Sequence, residues 1–591
     1  TEMVMRDPQI RLETSTFIEN KVLAATAVDR QSTRQRVSLT LLPDIQFVHA
    51  DAGRPGDGSA ERPLLTIQQG VDSAFGAQNV YVFSASGPYN ENVVLTPGIT
   101  LWGSGSLLPG LGGKFFGSGI APVVDGLSMG PSVTLAVRTT VRGFHVRNTD
   151  RGGEPVWAER VSGALFDVSR VGLYGPDATD LLIRDNIIAG NTEGVFLQRQ
   201  GTFDLLFSDN VVRDNDGSGL WIEARGDAGG VTSSGSSKQD LDPYWDGLST
   251  FHAVIQNSQF TGNGRSGAEI IASDYDFAFT QLRDSAFEDN GWEDAYVYHG
   301  DSFLSMVAAS GITAHRNDWE GLAVDQNFNF LSLANLSGIS ANLNNEDGIV
   351  LIQDDSLLAV GLIGMPENNL ADAALDMIGL DLPPEISSFF QASGPVTASG
   401  NGGDGVDASI EGEELALGLF FDITANDNDM AGLRAILDSE FGVALGLAGS
   451  SRNIGEILQL GASLLDAFGL DLPISLEGDG QMQANNNAET GIMLSTTGDM
   501  GAFSGVVGAE VAGNLGAGAT VTSDGELFAV SAAARIEAEE NAQNGLTLEA
   551  YAGGLALGLA ADIHAVQNIG AGIEATIESD NIAALLAFST D

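Results

Sequence analysis

The chain has 591 residues, with 75 Gly, 17 Pro and no Cys, and its 79 Asp and Glu against 26 Lys and Arg give a formal net charge of −53. That length exceeds what one compact core organises and points to several domains or one elongated repeat array. The charge excludes recognition of DNA, RNA or anionic lipid through a basic face, and the lack of cysteine excludes disulfide staples. No apolar run reaches the ~18 residues of a membrane span. The chain starts at Thr1 with no charged-then-apolar leader after it, so it reads as processed or excised.

In chain order, residues 1–45 form an N-terminal extension with alternating stretches such as "VSLTLLP", expected to act as a cap or as a segment linking subunits. Residues 46–120 are the entry and capping region of a coil. Residues 121–591 then repeat one phrase, an Asn-rich corner, a Gly and alternating apolar residues, as in "NNEDGIVLIQ" and "ENAQNGLTLEA".

The Gly that opens each strand recurs at Gly321 and Gly348, Gly405 and Gly432, and Gly491, Gly518, Gly545 and Gly572, each step being 27 residues. Such regularity marks a repeat architecture. Within a unit, three short runs of period-2 alternation predict three strands and a three-sided coil. The expected fold is therefore all-β, a parallel β-helix solenoid of ~27-residue three-strand coils with short helical insertions. About 15 coils at ~4.8 Å each would make a rod of roughly 70 Å.

Three longer steps predict insertions near 225–250, 355–392 and 452–480, the last two amphipathic and sharing "LDxxGLDLP". Asn and Gly suit the corners, where left-handed backbone conformations are needed. Inward asparagines at Asn191, Asn215, Asn263, Asn290, Asn317 and Asn345 are expected to bond from coil to coil. The many Ala and Gly of the last 200 residues imply closely spaced layers, packed against the helical excursions.

Residues 47–105 resemble the opening segment of right-handed parallel β-helix proteins of the pectin-lyase-like superfamily, which implies a right-handed parallel β-helix solenoid with strands at "FVHAD" and "NVYVF" and an N-terminal capping helix at "TIQQGVDSAF" between them, a marker of fold rather than of function. Residues 4–22, "VMRDPQIRLETSTFIENKV", look similar to the junction after the outer-membrane barrel in inverse autotransporters of the intimin-like kind. That second resemblance implies a surface-displayed passenger.

Enzymes of the superfamily work through clustered carboxylates in a groove. The polygalacturonase-like pattern fails here, because "NTD" at 148–150 and "QDD" at 353–355 are far apart and no "GHG" or "RIK" occurs. The six His form no spaced zinc cluster. The richest surface lies between 240 and 302, where Tyr244, Trp245, Tyr275, Trp292, Tyr296 and Tyr298 mingle with Glu293, Asp294 and other acids. Aromatic faces stack on sugars while carboxylates bond hydroxyls or move protons. The same aromatics would equally serve to pack a long loop onto the coil.

Asp404, Asp407, Asp422, Asp427 and Asp429 place oxygen ligands at turns, as calcium prefers, although neither the EF-hand nor the nonapeptide pattern is present. No cofactor is required, and Ca2+ is the one ion the composition invites. These readings favour a non-catalytic extracellular or cell-surface protein, structural or adhesive, whose partners are copies of itself stacked end to end or surface glycans. The alternative is a polysaccharide lyase or glycoside hydrolase acting through the acidic and aromatic groove at 240–302.

Overall fold

The computed structural model describes residues 2–5, 23–28, 35–41, 45–74, 79–106, 119–150, 152, 154–226, 249–365, 367–368, 393–451, 476–477 and 480–588. The chain forms two units, Thr1–Ala224 with Asn257–Gln259, and Arg225–Gln256 with Phe260–Asp591. Both are parallel β-helices.

In the first unit, Glu2–Met5, Gln35–Leu41 and Leu23–Val28 make a small antiparallel sheet. Parallel coils start at Ile45–Val48, which pairs with Asn79–Val82, then Thr100–Gly103, Thr140–Arg142, Leu181–Arg184 and Phe203–Ser208. The predicted helix is present as Ile67–Ser73, with Thr66 Oγ1 accepting the Gln69 N–H as its cap. Glu91 accepts the next two free amides, those of Ile67 and Gln68, at 2.7 and 3.0 Å. Gly70 lets this helix sit directly on the first coil, since a Cβ there would stand 2.7 Å from Val48 and 2.8 Å from Val80.

The second unit contains three parallel ladders. One joins strands such as Ala268–Ser273, Ala295–Gly300 and Leu322–Asn327, and another Phe277–Arg283, Leu304–Ser310 and Leu331–Ser337. A narrower ladder joins Ala286–Glu288, Thr313–His315 and Ser340–Asn342. In these strands each residue pairs with the one 27 positions on, as the spacing predicted.

The Asn ladder is also present. Asn263 donates its Nδ2 to Asn290 Oδ1 at 2.9 Å, and the same bond runs from Asn317 through Asn344, Asn401, Asn428, Asn487, Asn514 and Asn541 to Asn568. In the first unit Asn191 and Asn215 are bonded likewise at 2.9 Å. The expectation for Asn345 is corrected by one residue. Asn344 points inward, whereas Asn345 is exposed and bonds Asp318, because the corner offers two adjacent asparagines and only one faces the interior.

The glycine after each corner has a steric reason: a Cβ on Gly321 would lie 2.6 Å from the Gly348 carbonyl oxygen and 2.7 Å from Asn344 Nδ2. Several small residues of the later coils line the lumen; the helical excursions expected to pack against them lie outside the described residues. Ala444, Ala502, Ala529 and Ala556 are fully buried, and a Cβ on Gly446 would meet Leu494 at 2.9 Å. One wall supplies large side chains and the opposite wall supplies room for them.

The insertion expected from residue 355 starts later, since the strand Ile349–Ile363 continues the coil. Of the two excursions, the described part is a short antiparallel contact, Glu367–Asn368 against Leu476–Glu477. Most of residues 225–250, of 366–392 and of 452–479 lies outside the described residues.

Candidate functional site

In the second unit, the corner preceding each long strand carries a short polar segment, and the backbone bonds there fix its level in the stack. Gly267 N–H donates to Glu293 O, Asp294 N–H to Glu320 O at 3.1 Å, Gly321 N–H to Asp347 O at 3.1 Å, and Gly348 N–H to Asp404 O at 3.0 Å. Glu293, Glu320, Asp347 and Asp404 therefore form a column, one acid per coil, at the inter-strand spacing of about 4.8 Å.

Burial, with like charges nearby, raises the pKa of Glu320, Asp347 and Asp404. Burial pushes the Glu320 carboxyl up to about 7, helped by the charges of Glu293, Glu346 and Asp347, and its Oε2 is buried without a hydrogen-bond partner. Asp404 is pushed up to about 6 by burial, although it accepts the Ala431 N–H at 2.7 Å. Asp347 and Asp407 are also raised, chiefly by burial. Arg434 partly offsets this, with Nη1 3.7 Å from Asp407 and 3.9 Å from Asp404.

One residue before this column stands an aromatic platform. Trp292 and Trp319 stack with centroids 5.5 Å apart and planes 12° from parallel, and the Arg265 guanidinium lies 4.2 Å over Trp292. They are 37% and 43% exposed; with Arg265 on one face of Trp292 and Trp319 on the other, it is the ring edges that meet solvent. Tyr296, on the strand that follows, is half-buried with its hydroxyl 3.4 Å from Asp325, and the Glu293 charge helps to raise its pKa after burial. Tyr298 lies among Asp325, Asp301 and Asp274, which with burial raise its pKa.

Other expected site residues lie elsewhere. Tyr244 and Trp245 are outside the described residues. Tyr275 is 2% exposed and packs against Phe251 at 5.6 Å, so it is a core residue and offers no ring face to a ligand. Asp294 occupies the place that Gly holds in neighbouring coils and is fully buried, accepting amide hydrogens from Asn290 and Asn317. It belongs to the interior ladder, not to the surface. His299 is likewise interior, bonded to Thr280 and Ser305 and held neutral by burial, which lowers its pKa to about 3.

Among the calcium candidates, Asp404 and Asp407 share a corner with Arg434, Asp422 accepts the Ser451 N–H at 2.7 Å, and Asp427 and Asp429 are exposed at a separate turn. Among the described residues, no group of three or more His, Asp or Glu is arranged to hold a metal ion. No helix among them is long and apolar enough to cross a membrane.

The chain matches no protein-family model and no curated protein. Among solved structures it is similar to the A-module of the Azotobacter vinelandii mannuronan C-5 epimerase AlgE6, with 11% identity over 89% of this chain and 94% of that one and a TM-score of 0.31. The AlgE4 A-module of the same organism gives 12% identity, 90% and 99% coverage and a TM-score of 0.26. XylC in complex with xylose gives 10% identity, 62% and 84% coverage and a TM-score of 0.23. Likeness of this order does not extend to residue roles.

Trp319, Glu320 and Asp347 escape a reading confined to residues 240–302. The signal that finds them is the repeat itself, because adding one 27-residue period to Trp292 and Glu293 lands on Trp319 and Glu320.

Proposed function

We propose that the second unit is carbohydrate-active: a glycan lies along the stack of coils, with the exposed edges of Trp292 and Trp319 against its sugars and Glu320 supplying a proton. The observation that carries this reading is the acid column beside the tryptophan pair, in which one carboxyl titrates near neutrality. A general acid works best when its pKa matches the working pH. Glu293 and Asp347, one coil on either side, stand at about 5 Å by strand spacing, and Asp404 two coils away at about 10 Å. Those separations bracket the carboxyl pairs of retaining and inverting glycoside hydrolases. In such a reaction Glu320 protonates the leaving glycosidic oxygen while a neighbouring carboxylate attacks the anomeric carbon or deprotonates water.

A second reading is supported by the same corner. Asp347 and Asp404 accept backbone amides, the work of structural acids, and this favours a non-catalytic adhesin that binds glycan without turning it over. We place either activity outside the cell or on its surface, on the resemblance of residues 4–22 to an inverse-autotransporter junction; those residues lie almost wholly outside the described ones.

The test is a screen of neutral and acidic polysaccharides for binding and for new reducing ends or unsaturated products, with wild type and Glu320→Gln. Turnover by wild type that Glu320→Gln abolishes while binding persists supports the enzyme. Binding without turnover by either supports the adhesin, and no binding to any glycan overturns both.

A further inference from the structure

The strands Val443–Gly449, Gly501–Val507, Phe528–Ala534, Leu555–Ala561 and Ile582–Phe588 contain no charged residue, in a chain of net charge −53. The strands that face them across the lumen are different. They carry Arg434, Asp438, Asp524, Glu549, Glu574 and Glu578.

Alternation along the uncharged strands sends Ala444, Ala502, Ala529 and Ala556 into the core. The next residue of each strand points out, so Leu445, Phe503, Val530 and Leu557 stack in register on the outer surface, each partly exposed. A sheet that meets water on one face shows polar residues there, whereas aliphatic residues on both faces mark a sheet that something covers. The same outward column is already covered further along, where Phe279, Met306, Leu333 and Val360 are only 5%, 2%, 5% and 6% exposed.

We propose that the uncharged outer face is the interface of a homodimer, in which the aliphatic rows of one copy pack against the same rows of a second. Three observations select a second copy. The register runs through all five strands without a bulge, so the face is a set of ridges at one uniform spacing, and only a chain with the same period meshes with every ridge. Five strands of seven residues span about 24 by 23 Å, and with the corner at Val507 already packed against Leu447 and Ala534 the pair buries roughly 1,000 Å², the threshold for a specific interface. A two-fold arrangement also keeps the acidic strands of both copies on the far sides, while an anionic membrane would be repelled by them.

Sedimentation equilibrium of the full chain from about 1 to 100 μM, in 0.15 M and 1 M NaCl, tests this. The expected result is twice the chain mass at the upper concentrations, with tighter association in high salt as charge repulsion is screened. Val530→Asp with Leu557→Asp should remove the dimer, and Val530→Thr with Leu557→Thr, which keeps strand propensity, should weaken it at least tenfold with an unchanged circular dichroism spectrum. Glu320→Gln should leave association intact. A monomer under every condition overturns the proposal, as does a dimer that survives both double substitutions. Co-sedimentation of the wild-type monomer with phosphatidylcholine vesicles, lost in the Asp pair, also overturns it and assigns the face to lipid.

Discussion

Trp292 and Trp319 are 27 residues apart in sequence and stack at 5.5 Å, so the repeat period itself builds the platform. Removing one ring halves it. Trp292→Ala and Trp319→Ala should each weaken glycan binding by about 1 kcal/mol, roughly fivefold, because an aromatic ring contributes on that scale. Titration followed by tryptophan fluorescence measures this, and wild-type affinity in both variants would remove the platform from the site.

Glu320 should also govern how stability varies with pH. Its folded pKa, about 7, lies above the ordinary glutamate value of 4.5, so the folded state binds the proton more tightly than the unfolded chain. The stability contributed by the protonated form is therefore complete below about pH 4.5 and is lost as pH rises through 7. Solvent screening at this partly open corner limits the loss to about 1–2 kcal/mol. Glu320→Gln should raise Tm at pH 8 and flatten the slope between pH 4.5 and 7, which a series of thermal melts would reveal.

Asp294 replaces a glycine of the repeat and captures one amide hydrogen each from Asn290 and Asn317. Asp294→Gly should stay within about 1 kcal/mol of wild type, since the loss of a buried carboxyl offsets the added backbone freedom. Asp294→Leu strands two buried amide donors and should cost about 3 kcal/mol. Urea denaturation of the two variants gives the comparison.

Asn487 ties three coils together: it accepts from Asn428 and donates to Asn514 and to the Ala425 carbonyl. Asn487→Ala should cost about 3 kcal/mol, because buried backbone and side-chain groups lose partners at once. Asn345→Ala, one residue outside the equivalent corner, should cost less than about 0.5 kcal/mol. If the two substitutions have equal effects on the urea midpoint, the ladder contributes nothing special.

How far the sequence leads can be seen at single corners. Gly321 and Gly348 announce a coil because a side chain there would strike the coil above, and a constraint repeated on every turn leaves a trace in composition and spacing alike. Asn344 and Asn345 show where the trace ends. Both residue types fit the corner, and only the direction of the backbone decides which one faces inward. The site is harder still, because Tyr275 and Trp292 are alike on paper. A neighbouring Phe251 buries the first, while a position on the outer corner leaves the second open. Function on this fold depends on what lines up across coils, and a reading along the chain sees those partners one full turn apart.

Where the chain makes its two large excursions, the ladder partners of Asn344 and Asn428 lie 57 and 59 positions away in place of 27, yet the bonds are the same. The stack counts turns and is indifferent to residues. A coil that absorbs such detours while its Asn bonds stay the same is a socket, and segments of new sequence could be exchanged at it while the ladder above and below keeps its place.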